Sequence, residues 1–139
     1  MNDDSQNPFA DSELTTILVV ADMLKSKTFY LDSLGAELNR EYGGTSMVIK
    51  FLGSWILLVT AGGPTEDKPD VYFEPPVNKK MVSHSFTIRV KDCLETHEIL
   101  KERGILFITP PVTNDAETRC FFHDPDGHLF EISEYKPTS

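Results

Sequence analysis

Glu131 is the residue of this chain best placed to do chemistry, a carboxylate among apolar neighbours in His128-Leu-Phe-Glu-Ile-Ser-Glu-Tyr135. A charge on a half-buried strand is costly unless it is paired, hydrogen-bonded or bound to a metal. The segment before it, Arg119-Cys-Phe-Phe-His123, reads as a second strand, joined to the first by Asp124-Pro-Asp-Gly127. Pro presets the φ of a turn's second position and Gly accepts the positive φ that ends it. The other reactive types are two cysteines, Cys93 and Cys120, and the histidines His84, His97, His123 and His128. Neither cysteine has a CxxC spacing or a zinc-type partner pattern, and two cysteines do not make a disulfide scaffold. Reduced thiols in a cytoplasmic protein is the expectation.

The elements that must position these groups repeat. Leu14–Asp22 is a β-branched strand ending in Val-x-Asp, followed by a helical stretch that closes at Gly35. His84–Asp92 ends in the same way, and its helix closes at Gly104. Each Asp can cap its helix, and Glu95, three residues after Asp92, completes a capping-box pattern. Both Gly residues suit the left-handed position that terminates a helix. Three strand candidates follow each helix: Ala36–Tyr42, Ser46–Leu52 and Ser54–Ala61, then Ile105–Thr109, Glu117–His123 and His128–Tyr135. The unit is βαβββ, twice, an α+β class. Residues 1–12 are expected to form a flexible acidic arm, 13–61 the first module, 62–81 a proline-rich linker or lid, and 82–136 the second module. Tyr72 and Phe73 are unusual in a purely solvated linker and could fold over a pocket.

At 139 residues and 40% hydrophobic content the chain suits one structural domain. No run approaches the ~18 apolar residues of a membrane span. A net charge of −9 argues against nucleic-acid backbones as partners.

Val20-x-Asp22, Ser26-x-x-Phe29-Tyr30-x-x-x-Leu34-Gly35, and Asp124-Pro-Asp-Gly127 followed by Glu131 together resemble the vicinal oxygen chelate superfamily. Its members include glyoxalase I, extradiol dioxygenases, and fosfomycin- and bleomycin-resistance proteins. The resemblance implies two sheets curled into a paired half-barrel cup, usually with a dimer partner. It also implies a divalent metal at positions that fall here on Thr15, Leu57, Ser85 and Glu131. Glyoxalase I-like members carry His or Gln, Glu, His and Glu there, so this chain keeps one of four. A catalytic zinc-type site needs about three protein ligands, and leucine offers none. No metal and no other cofactor is expected.

Strand alternation then assigns the cup lining. Ser85, Thr87 and Arg89 face it, whereas His84, Phe86, Ile88 and Val90 face the helix. Thr15, Ile17 and Val19, then Trp55, Leu57 and Val59, then Leu129, Glu131 and Ser133 line it as well. A four-residue turn puts His123 opposite His128 and Cys120 opposite Glu131, so Cys120 and Phe122 join the lining. His97 reads as solvent-facing. Cys120 reads as structural, because a thiolate facing Glu131 is disfavoured by like charge. Arg89 and Glu131 are expected to pair, the guanidinium taking over a metal's charge-neutralising role and offering donors to a ligand.

Three functions follow. The first is a metal-independent binder of a small organic molecule, with ligand contacts from Arg89, Trp55, Thr15, Leu57, Ser85, Thr87, Cys120 and Phe122, acting as a homodimer. The second is a glyoxalase-like lyase, dioxygenase or isomerase using Glu131 as base or metal ligand. An interaction or regulatory module on the same scaffold is a third.

Overall fold

The Val-x-Asp signal works twice. In the computed structural model, which describes residues 7–136, Asp22 accepts from the backbone N–H groups of Leu24 and Lys25, and Asp92 from that of Glu95. The first cap starts α1, Met23–Lys27, which runs on through a wider π-helical stretch, Thr28–Ser33. The second starts α2, Cys93–Glu102. Gly35 and Gly104 follow at φ of 79° and 92°, the conformation that only glycine adopts at little cost. Residues 1–6 of the expected acidic arm lie outside the described residues.

The strands are β1 Thr15–Val20, β2 Glu37–Tyr42, β3 Ser46–Phe51, β4 Ser54–Thr60, β5 Phe86–Arg89, β6 Val112–Asn114, β7 Glu117–His123 and β8 Leu129–Tyr135. They form two four-stranded sheets, ordered β1-β4-β3-β2 and β5-β8-β7-β6. β1 runs parallel to β4 and β5 to β8, and the remaining pairs are antiparallel. This is the expected α+β arrangement of two βαβββ units. One strand differs. Ile105–Thr109 makes only a single bridge, Phe107 to Phe122, and β6 falls between that expected strand and the next. Pro110 and Pro111 have no N–H to give a ladder. The pairing therefore begins after them and turns back at Asp115, whose φ is 51°.

A single core joins the halves. Leu18, Val20, Met47, Ile49 and Leu58 from the first sheet merge with Phe122, Phe130 and Ile132 from the second, and with Tyr30, Cys93 and Leu100 from the helical segments. Phe29 leans on Phe122, and Tyr30 meets Phe130 edge-on, so the first half's helix packs on the second half's sheet. Each fully buried large side chain contributes about 1.5–3 kcal/mol, so these shared residues tie the two halves into one unit.

The Asp124–Gly127 turn clasps the two halves. Asp126 Oδ1 accepts from the Ala21 N–H at 2.8 Å, and the Tyr30 hydroxyl donates to Asp124 Oδ2 at 2.6 Å. His128 Nε2 lies 2.9 Å from the Val19 carbonyl oxygen. The last contact satisfies part of the open edge of β1, which is hydrogen-bonded to β4 alone.

The 62–81 stretch closes first on itself. Gly62 and Phe73 exchange backbone hydrogen bonds, and Lys68 sits over the Phe73 ring while donating to the carbonyls of Gly63 and Val71. Tyr72 remains exposed.

Candidate functional site

With even-numbered residues of β1, β4, β7 and β8 in the shared core, the opposite faces are left for other use. On the first sheet Ile17, Leu57 and Val48 align as one row across the strands, and Thr15, Trp55 and Lys50 as another. The Lys50 ammonium lies 4.9 Å from the Trp55 ring centroid, within cation–π range. On the second sheet Thr87, Glu131 and Phe121 form one row and Arg89, Ser133 and Arg119 the next. Register puts Thr15, Ile17, Val19, Trp55 and Leu57 on one face of the first sheet and Thr87, Arg89, Leu129, Glu131 and Ser133 on one face of the second; Ser85 precedes β5 and has no register, and Glu131 and Ser133 are buried. Ile17 is 45% exposed, and Trp55, Leu57 and Phe121 are half-buried, so this face stays partly wet within the single chain.

Glu131 is buried and its carboxylate is satisfied. Oε1 accepts from the Thr87 hydroxyl at 2.8 Å, and Oε2 lies 3.5 Å from Nη1 of Arg119. The latter is long for a hydrogen bond and is an ion-pair contact. The expected Arg89–Glu131 pair does not form. Arg89 Nη1 donates instead to Glu117 Oε2 at 3.2 Å and to Ser133 Oγ at 2.8 Å. Arg89 stands opposite Ser133, one row away from Glu131, and Glu117 is within reach across Ser133. Ser133 Oγ also donates to Glu117 at 2.7 Å. That bond, followed by the charges of Arg119 and Arg89, holds the Glu117 carboxyl below its ordinary range.

The expected place of Cys120 and Phe122 is overturned. His123 pairs with Leu129, Phe121 with Glu131 and Cys120 with Ile132, because five residues rather than four separate the paired strands. A one-residue change of register moves every side chain to the other face. Cys120 and Phe122 are therefore in the core, and Arg119 and Phe121 take their places beside Glu131. Sequence contained the signal: with Cys120 and Phe122 on the open face, Arg119 and Glu117 of the same strand would have pointed into the apolar core. The same shift separates His123 from His128. The Nδ1 atom of His123 approaches the Gly127 carbonyl oxygen at 3.2 Å, and His128 reaches β1.

His97, expected to face solvent, is buried with its ring 4.5 Å from that of Phe107. The loop after α2 folds back over the helix and covers it. His84 is exposed just before β5, edge-on to Phe86. Burial, then the neighbouring Cys93 thiol and Glu131, push the Cys120 thiol up to about 12. Cys120 is thus no nucleophile near neutral pH.

The donor set does not fit a divalent metal. Thr15 is exposed at the start of β1, Leu57 has no donor atom, and Ser85 precedes β5. Glu131 is already engaged by Thr87 and Arg119. Among the described residues no three His, Cys, Asp or Glu side chains converge. One carboxylate with two neutral hydroxyls falls short of the ligand count such ions require.

A cleft of about 300 Å³ lies at the rim of this face, over Ile17, Val19 and Leu129. Its outer wall is made by Glu74, Pro76 and Met81–His84, so the chain overhanging the rim follows Tyr72 and Phe73 rather than including them. No helix among the described residues is long and apolar enough to cross a membrane.

Two βαβββ units, each leaving one sheet face open beyond a shared core, define a class of paired-module cup proteins. The chain belongs to the Glyoxalase/Bleomycin resistance protein/Dioxygenase superfamily, whose sequence profile matches residues 13–132. Solved structures agree in fold. UcmS2 is 22% identical, with a TM-score of 0.69 over 87% of this chain and 96% of that one. A glyoxalase/bleomycin resistance protein/dioxygenase from Alicyclobacillus acidocaldarius is 20% identical, with a TM-score of 0.65 over 95% and 96%. The fosfomycin resistance protein FosX of Listeria monocytogenes is 18% identical, with a TM-score of 0.65 over 88% and 92%. No curated protein sequence matches the chain.

Proposed function

We propose that this protein is a metal-independent receptor for a small organic molecule, held on the open faces of its two sheets, with Ile17, Trp55 and Leu57 on the first and Phe121 beside the Glu131–Arg119 pair on the second. The observation that carries this reading is the state of Glu131. Its carboxylate accepts a hydrogen bond from a hydroxyl and faces a guanidinium, in a family position where a cation would otherwise need it. Half-buried apolar and aromatic side chains with a few polar groups suit an organic ligand. The likeness to a fosfomycin resistance protein fits a role in sequestering or handling such molecules. Thr15, Ser85 and Thr87 supply hydroxyls at the edge of that face.

The same reading includes a homodimer in the cytoplasm. A partly wet apolar face on each sheet is incomplete as a pocket, and a second copy would supply the facing wall. Free, buried thiols suit a reducing compartment.

Trp55 is the single tryptophan and lies on the proposed face, so its fluorescence reports occupancy directly. Ligands from a drug and metabolite panel are expected to shift that emission with unchanged affinity after exhaustive chelation, and sedimentation is expected to give a dimer. Binding that appears only on adding zinc, manganese, nickel or iron would replace this reading with the enzymatic one, in which Glu131 is a metal ligand.

A further inference from the structure

We infer that the cleft at the rim of the open face binds an organic cation, an ammonium group on a small apolar body. The inference rests on the receptor reading and names the class of molecule received. In this cleft the open faces of both modules contribute to one hollow, with Ile17 and Val19 of β1 and Leu129 of β8 as its floor. The overhang above the floor is held in place. Asn78 closes a turn there, its side chain accepting from the Lys80 N–H and its carbonyl from the Met81 N–H. The stem of Lys79 lies across Gly127, so closely that a Cβ at 127 would come within 2.7 Å of Lys79 Cγ. Gly127 thus both ends its turn, at φ of 101°, and seats the overhang.

Two features select the occupant. The first is apolar surface left wet inside the hollow. Met81 is 77% exposed and Val82 47%, although both line the cleft opposite Ile17. A small apolar body would cover all three, and a volume of about 300 Å³ suits one ring with a short chain. The second is the sign of the charge. Glu74 is the one Asp, Glu, Lys or Arg in the lining, and among the described residues its carboxylate forms no ion pair. The cations on the strands nearest the floor stand at their far ends. Lys50 is in the Thr15–Trp55 row, and Arg89 and Arg119 are in the Ser133 row. Those rows lie about 13 Å along the strands from Val19 and Leu129, beyond the screening length of physiological salt. An ammonium group therefore meets a carboxylate with no competing lysine or arginine in the lining, and a net charge of −9 favours its approach.

The test is a titration of the full chain with 2-phenylethylamine, followed by amide proton–nitrogen correlation spectra. Shifts are expected at Ile17–Val19, Met81–His84 and Gly127–Leu129. Affinity is expected to fall about tenfold or more for the neutral 2-phenylethanol and for Glu74→Gln, the usual worth of a charge-assisted hydrogen bond. Glu74→Lys, an exposed position that tolerates the change, should reverse the preference towards 3-phenylpropionate. Glu66→Gln removes the same charge from the same loop outside the lining, and should leave the affinity unchanged. Equal affinity for amine and alcohol, an equal loss in Glu66→Gln, or shifts away from the cleft would each overturn the inference and leave the receptor reading standing. The receptor reading falls on its own test, when no compound of the wider panel binds at all.

Discussion

The Tyr30 hydroxyl lies 2.6 Å from Asp124 Oδ2, and with that bond the first half of the duplicated chain is fastened to the turn that organises the second. The other oxygen, Oδ1, accepts from the N–H groups of Asp126 at 2.9 Å and His128 at 2.8 Å. One buried carboxylate therefore shapes its own turn and anchors a helix from the other module. Burial raises the Asp124 carboxyl above its ordinary range against the opposing effect of those hydrogen bonds. The Tyr30 phenol is pushed well up, first by burial and then by the Asp124 charge.

Tyr30→Phe should lower stability by about 1–2 kcal/mol in urea denaturation, the cost of one buried hydrogen bond to a charged acceptor. Asp124→Ala should cost more, about 3 kcal/mol or above, because it strands a phenol and two backbone N–H groups. The pH dependence has a definite sign. Since the folded carboxyl titrates above the unfolded one, its contribution is full below the ordinary aspartate range and is lost as pH rises through the folded value. Asp124→Asn should flatten stability across that interval.

Glu117 makes the opposite contribution. Ser133 and the two arginines hold its carboxyl low, so its stabilisation is present above the ordinary glutamate range and is lost as pH falls through the folded value. Denaturation curves of Glu117→Gln should therefore lie closer to wild type at the acid end than at neutrality. An equal gap at every pH would mean that the Glu117 charge does not matter to the fold.

The duplication, both helix caps, both closing glycines and the alternation of β1, β4, β5 and β8 were all legible, because each depends on local backbone chemistry or on period-two burial. The partner of Glu131 was not. It depends on how many residues the Asp124 turn leaves unpaired, and His128 looks like a strand residue until its ring is seen reaching Val19. Arg89 and Arg119 then exchange roles: the residue expected at Glu131 serves Glu117, and its neighbour across Ser133 serves Glu131. His97 was missed for a related reason, since its cover comes from a loop whose course after Gly104 carries no periodic signal.

Double-mutant cycles can read that register in solution. Thr87→Val with Glu131→Gln should show a coupling of about 1 kcal/mol, and Arg119→Met with Glu131→Gln about 0.5 kcal/mol, given the partial exposure of the guanidinium. Arg89→Met with Glu131→Gln should couple more weakly than either. A dominant Arg89 coupling would restore the pairing expected from alternation alone and contradict the observed strand register.

Cysteine labelling tests the core assignment independently. Cys93 and Cys120 are both fully buried, and burial raises both thiols, Cys120 to about 12. Attack on a disulfide reagent needs the thiolate and a path to it, and the native chain offers neither near neutral pH. Native protein should therefore react with Ellman's reagent only at the rate of unfolding, while the denatured chain titrates two thiols at once. Raising the pH by one unit should scarcely change the native rate in this regime, since opening rather than ionisation limits it. A fast native reaction at Cys120 that climbs with pH would instead place that thiol on the open face beside Glu131, where the four-residue turn had put it.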